Sequence, residues 1–128
     1  MIYLDTSVAL AHVFAEDMRP ADSLWGEPLV ASRLLQYELV NRVHARQHRK
    51  QSLDAVEALL GRVSMVELSP VVLKRALEPF PVPVRTLDAI HLATIDFIIN
   101  HCQRCELATY DVRMKAAAKA MKLALYEL

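Results

Sequence analysis

Four carboxylates stand where a folded chain could bring them together. Asp5 closes "YLD", Glu38 lies in "YELVNRV", Asp88 in "TLDAIHLAT" and Asp111 in "ATYDVRM". Taken singly, each has an ordinary structural explanation. Asp5 and Asp111 fall where a strand gives way to a helix, which suits an N-cap. Asp88 lies two residues beyond Thr86, read as a cap, and an acid in a first turn gains from the helix dipole. Glu38 precedes Arg42 by the spacing of a helical ion pair. Taken together they suggest more. Ligands of an open parallel sheet bind beyond the carboxyl ends of its strands. Asp5 and Asp111 are expected at such ends. Glu38, two turns into its helix, can come back beside that rim, and Asp88 joins them if the loop before its helix returns there. Converging carboxylates repel one another unless a cation neutralises them. Mg²⁺ or Mn²⁺ suits an all-carboxylate site. Such an ion can activate a water and stabilise a phosphoryl leaving oxygen.

The elements that must position these acids follow from periodicity and punctuation. Ile2 to Leu4 is a β-prone run, and Thr6 to Phe14 reads as a helix that "EDMRP" interrupts. Pro20 to Trp25 suits a second short helix, and "LVAS" a second strand. Ser32 is expected to cap a long helix running through Arg49, with Leu35, Leu39 and Val43 as its apolar stripe. Ser52 is expected to cap the next helix, with Val56, Leu59, Leu60 and Val63 inward. "MVEL" reads as a third strand and Val71 to Leu77 as a short helix. "EPFPVPV" holds three prolines and is not regular helix. The "TLDAIHLAT" helix should bury Leu87, Ile90, Phe97 and Ile98. "ELATY" then reads as strand, Val112 to Met121 as helix and "LALYEL" as strand. The alternation implies one α/β domain over residues 1–128, with a mostly parallel sheet of four to five strands and helices on both faces. No repeat or linker marks a second domain.

Bulk properties narrow the function classes. The chain has 128 residues, 54% of them hydrophobic, with 15 basic against 15 acidic side chains. That composition excludes a disordered chain. Zero net charge argues against a purely electrostatic nucleic-acid binder and leaves room for an enzyme meeting nucleic acid at one local site. No apolar run has the length of a membrane span. Two cysteines and no export-like start lead to a cytoplasmic expectation.

"YLDTS", "YELVNRV", "TLDAIHLAT" and "ATYDVRM" resemble, in order and spacing, the four acidic motifs of PIN-domain nucleases. Size and order look most like VapC-type toxins, the ribonuclease halves of toxin–antitoxin pairs. The resemblance implies a parallel sheet flanked by helices and Mg²⁺- or Mn²⁺-dependent RNA cleavage. It also implies a homodimer and a small antitoxin that inhibits it. The matching acids are Asp5, Glu38, Asp88 and Asp111. Thr6 or Ser7 would assist near the first and Thr109 near the last. One departure lies in the turn before the final strand, where the family often carries Gly and this chain has Lys122.

Other features carry two readings each. His91, three residues after Asp88, reads first as a core-edge histidine bonding the backbone. The alternative is that it orients Asp88 or touches substrate. Arg42, His44, Arg46, His48, Arg49 and Lys50 cluster at the end of the long helix. They serve either its C-terminal dipole and a solvated face, or an RNA track or antitoxin contact, and Arg85 is read as serving the same functional end. Cys102 and Cys105 form a C-x-x-C without further zinc ligands nearby and read as reduced thiols. An aspartyl-phosphate phosphatase would want an acid at position 7, which is Ser. The rival of another class is a non-catalytic regulatory or protein-binding module with an acidic pocket.

Overall fold

The fold is built outward from the strand that ends at Asp5. A computed structural model describes residues 1–47, 50–101 and 103–128. Strand β1 (Ile2–Leu4) pairs in parallel with β2 (Leu29–Ser32) on one side and β4 (Glu106–Ala108) on the other. β3 (Val63–Val66) extends the sheet beyond β2, and β5 (Ala124–Leu125) extends it beyond β4. The order is therefore β3-β2-β1-β4-β5, all parallel. The chain winds one way from β1 to β3, then returns to the far side of β1. This reversal opens a crevice beyond the carboxyl ends of β1 and β4, the place where ligands of such sheets bind.

Alternation along the buried strands divides the core. Ile2, Leu4, Leu29 and Ala31 face α1 (Thr6–Val13), α2 (Leu34–Ala45) and α3 (Lys50–Leu60). Tyr3, Val30 and Leu107 face α5 (Thr86–Asn100) and α6 (Val112–Ala120). Short α4 (Pro70–Ala76) packs on α5. Its start combines two N-terminal devices: Pro70 at the first turn, and Ser69 Oγ accepting from Val72 N–H at 3.3 Å. Arg75 pins the proline-rich stretch after it, lying 4.2 Å over the Phe80 ring and 2.8 Å from Asp96.

Several boundaries differ from the sequence reading. α2 ends at Ala45 rather than Arg49, because the chain turns at Gln47, whose φ is 58°. His48 and Arg49 lie outside the described residues. Arg33 occupies the cap position of this helix, and Ser32, one residue earlier, still serves its start, its Oγ accepting from Leu34 N–H at 3.1 Å. Ser52 is no cap, since α3 already begins at Lys50, and Val63 belongs to β3 rather than to the helix. β3 accordingly starts two residues before "MVEL". Asp22–Gly26 is a 3-10 turn where a short α-helix was expected. Thr86 is the first helical residue of α5 and Arg85 occupies the cap position. The buried face of α5 passes through Ala89, His91, Leu92, Ile95 and Ile98, which turns Leu87 outward to 48% exposure.

Lys122 settles the departure near the C-terminus. It takes φ 59°, and Leu123 N–H returns to Ala118 C=O at 2.9 Å, so α6 closes in the left-handed cap that Gly usually supplies. Cys105 is buried beneath β1, and desolvation pushes its thiol up to about 11. That leaves it an inert packing group. Cys102 lies outside the described residues.

Candidate active site

Each acid reaches the crevice by a different local route. Asp5 follows β1 and caps α1, and Asp111 follows the β4 segment and caps α6. The simple structural explanation of both is therefore correct, and incomplete. Asp111 spends Oδ1 on the cap, accepting from Arg113 and Met114 N–H at 2.8 and 3.1 Å. Asp88 enters from the first turn of α5, and Glu38 from the second turn of α2. All four line one cavity of about 370 Å³, together with Thr6, Ser7, Arg42, Arg85 and His91. Four carboxylates face two guanidinium groups there, a surplus of two negative charges.

The hydrogen bonds fix one oxygen each of Asp5, Glu38 and Asp88, and both oxygens of Asp111. Asp5 Oδ2 accepts from Ser7 Oγ at 2.6 Å, Thr109 Oγ1 at 2.7 Å and Ser7 N–H at 3.3 Å. Ser7 Oγ in turn accepts from Tyr110 N–H, and Thr109 Oγ1 from Asp111 N–H, both at 3.0 Å. The ends of β1 and β4 are thereby tied through two hydroxyls. Glu38 Oε1 accepts from Thr6 Oγ1 at 2.9 Å and from His91 Nε2 at 2.6 Å. Arg85 spans the remaining pair, with Nε 3.2 Å from Asp88 Oδ2 and Nη2 3.3 Å from Asp111 Oδ2. Among the described residues, Asp5 Oδ1, Glu38 Oε2 and Asp88 Oδ1 take no protein donor.

This donor set fits a hard dication. It offers carboxylate oxygens in one cavity, three of them without a protein donor, beside a charge surplus equal to one Mg²⁺ or Mn²⁺. The described residues contain no ready cage of three or more acid, His or Cys groups. Mg²⁺ does not need one, because it keeps several waters and binds through one or two carboxylates and substrate phosphate.

Burial raises the Asp88 carboxyl above its ordinary range, the Arg85 hydrogen bond and charge oppose the rise, and Asp111 and Asp5 add to it. A raised folded pKa means the folded chain holds this proton more tightly than the unfolded chain. Stability from Asp88 is thus present below the ordinary carboxylate range. It is lost as pH rises through the raised value, leaving a penalty at neutral pH. Asp88→Asn should therefore stabilise the metal-free protein at pH 7, by no more than about 1 kcal/mol because water screens the cavity mouth. It should also shrink the gain in melting temperature from Mn²⁺. Melts in chelator and in Mn²⁺ check both points. A lower metal-free melt with an undiminished Mn²⁺ response would make Asp88 a plain first-turn acid.

The other expected residues divide. Thr6, Ser7 and Thr109 all serve the acids directly. Arg42 and Arg85 reach the cavity. Arg46 does not serve it: its guanidinium lies 4.2 Å over Phe14 and 3.6 Å from Glu16. Lys50 opens α3 and does not line the cavity. Glu38 forms no ion pair with Arg42, because His91 takes its place. His91 bonds side chains rather than backbone, and it holds Glu38 rather than Asp88. Tyr3 escaped the sequence reading, although a tyrosine in the middle of a buried strand signals a hydroxyl that needs a partner.

The chain is similar to known proteins over nearly its whole length. The PIN domain family matches residues 2–120. Ribonuclease VapC35 of Mycobacterium tuberculosis is 36% identical over 135 residues, covering 98% of this chain and 95% of that protein. Ribonuclease VapC46 of the same organism is 31% identical over 127 residues, covering 97% and 95%. Among solved structures, VapBC2 from Rickettsia felis, bound to a DNA fragment from its promoter, superposes with a TM-score of 0.70. It does so at 17% identity over 98% of each chain. Mycobacterium tuberculosis VapC20, a sarcin-ricin loop cleaving toxin, gives 0.70 at 19% identity over 91% of this chain and 95% of that one.

Proposed function

This chain belongs to the PIN domain family, and from that premise we propose that it is a divalent-metal-dependent endoribonuclease, the toxin of a toxin–antitoxin pair. The whole of residues 1–128 acts as the nuclease domain. The observation that carries the reading is one cavity lined by Asp5, Glu38, Asp88 and Asp111, in which the first three each keep a carboxylate oxygen without a donor among the described residues. The 36% and 31% identical relatives are both ribonucleases, and this chain spans 95% of each.

Asp5, Glu38, Asp88 and Asp111 would hold Mg²⁺ or Mn²⁺. When bound, the ion supplies Lewis acidity toward a phosphoryl oxygen and acidifies a water. The chain's own groups do the rest. Ser7 and Thr109 lock Asp5, and Thr6 and His91 lock Glu38, so the carboxylates are oriented before substrate arrives. Arg42 and Arg85 offer guanidinium donors for the phosphodiester at the cavity wall, where the forked geometry suits phosphate oxygens. No side chain serves as a covalent nucleophile.

The nearest test is direct. The protein should cleave RNA in Mn²⁺ or Mg²⁺ and stop in excess chelator. Equal cleavage in both conditions overturns the metal assignment, and none in either leaves the acidic-pocket binding module.

The partners proposed with this reading are an RNA substrate, a small antitoxin protein and a second copy of the chain, all in the cytoplasm. No described helix is long and apolar enough to cross a membrane. Val71, Leu73 and Leu77 on and beside α4 are exposed, Leu77 to 88%. Apolar exposure of this kind supports self-association. Sedimentation should show a dimer at about 10 μM, where weak dimers persist; a monomer there removes it.

A further inference from the structure

Three of the four acids gain their orientation from a helix start. Asp5 and Asp111 are N-caps, and Asp88 stands in a first turn. Glu38 has no such anchor. It stands in the body of α2 on a longer, freer side chain, and only side chains hold it.

The stronger of its two holds comes from the other side of the sheet. His91 is 1% exposed on α5, and both its ring nitrogens find partners. Nε2 lies 2.6 Å from Glu38 Oε1, and Nδ1 lies 2.7 Å from the Tyr3 hydroxyl. Tyr3 is fully buried at the centre of β1, and its hydroxyl oxygen already accepts Ser32 N–H at 3.2 Å.

The direction of the chain follows from what each group can do. An ionised carboxylate only accepts, so Nε2 must carry a proton and donate it to Glu38. A neutral ring then has Nδ1 free to accept, and the Tyr3 hydroxyl donates to it. Tyr3 is fully buried, and a phenol keeps its proton at neutral pH, so the hydroxyl can donate. The bonds run one way, from the backbone of β2 through Tyr3 and His91 to the cavity.

We propose that His91, held in its Nε2–H form by Tyr3, is the positioning residue for Glu38: it fixes Oε1 and turns Oε2 toward the cation. This rests on the metal reading above. It assigns to buried Tyr3 and His91 an effect on metal affinity that simple core packing would not have. Partners one step behind a ligand commonly set its orientation and basicity.

The test uses the full-length protein and calorimetric titration with MnCl₂, with folding checked by circular dichroism. His91→Leu should weaken Mn²⁺ binding about 10–100-fold. His91→Gln, whose amide N–H can reach the same oxygen, should retain most of the affinity. Tyr3→Phe keeps the ring and removes the hydroxyl, and should lose about tenfold. A ¹⁵N correlation spectrum of the metal-free parent should show His91 protonated at Nε2, which decides the matter even if His91→Leu does not fold. An unprotonated Nε2 overturns the proposal. So does parent-like binding in both His91→Leu and Tyr3→Phe. Equal losses in His91→Gln and His91→Leu would assign the effect to ring packing and overturn it as well. A parent that binds no Mn²⁺ overturns the metal reading and this inference together, whereas the other failures strike the inference alone.

Discussion

Asp5→Asn should abolish RNA cleavage while leaving the fold intact. The two halves of that expectation have separate causes. Asn caps a helix about as well as Asp, so the start of α1 is preserved. Its amide oxygen can still accept from Ser7 and Thr109, which keeps the tie between β1 and β4. The cavity side changes completely. In place of Oδ1, an anionic oxygen with no protein donor, stands an NH₂ group that repels a cation. Losing a charged ligand should cost at least as much as losing a supporting partner, so cleavage should fall by about 100-fold or more. Cleavage of RNA in Mn²⁺, read beside the circular dichroism spectrum, checks the result. A folded variant with parental activity would remove Asp5 from the site.

Leu39→Ala should cost about 2–5 kcal/mol of folding stability. Leu35, Leu39 and Val43 are each fully buried and form the stripe by which α2 packs on the sheet and α1. Truncating the middle member removes transfer energy and leaves a cavity between rigid layers that cannot collapse fully. Because Glu38 precedes it on the same helix, the loss falls on the element that delivers an acid. Urea denaturation should show a lower midpoint at an unchanged slope. A change below about 0.5 kcal/mol, the range of an ordinary surface substitution, would mean that this stripe does not anchor α2.

The sequence was most legible where chemistry coincided with local pattern. A β-prone run ending in Asp before a helical period announced Asp5 and Asp111, and the apolar stripe of α2 set the phase that carries Glu38 inward. The parallel sheet followed from alternation. Three things resisted. Helix starts slid by a residue or two, as at Ser52 and Thr86: α3 already begins at Lys50, and α5 starts behind Arg85, which makes no side-chain cap bond, so a nearby hydroxyl does not by itself set the first turn. The phase of α5 was misjudged at Leu87, where the inward face is set by packing against Tyr3 and Val30 rather than by local hydrophobicity. His91 was noticed for its spacing from Asp88. Its real partners lie 53 and 88 residues away, and no local period encodes such distances. Arg46 shows the converse: a basic residue in a basic run, yet taken by Phe14 and Glu16 just after α1.

The strand order has a consequence for how long the site survives. β1 lies at the centre of the sheet, with β2 and β4 on its flanks. Asp5 follows the first, Glu38 rides on the helix after the second and Asp111 follows the third. The marginal strands β3 and β5 carry none of the acids. Amide exchange is slowest where release demands global unfolding and fastest where an edge can fray. A molecule whose margins breathe therefore keeps those three carboxylates assembled. Fraying at the edges leaves their geometry in place, and amide exchange should be slower in β1, β2 and β4 than in β3 and β5.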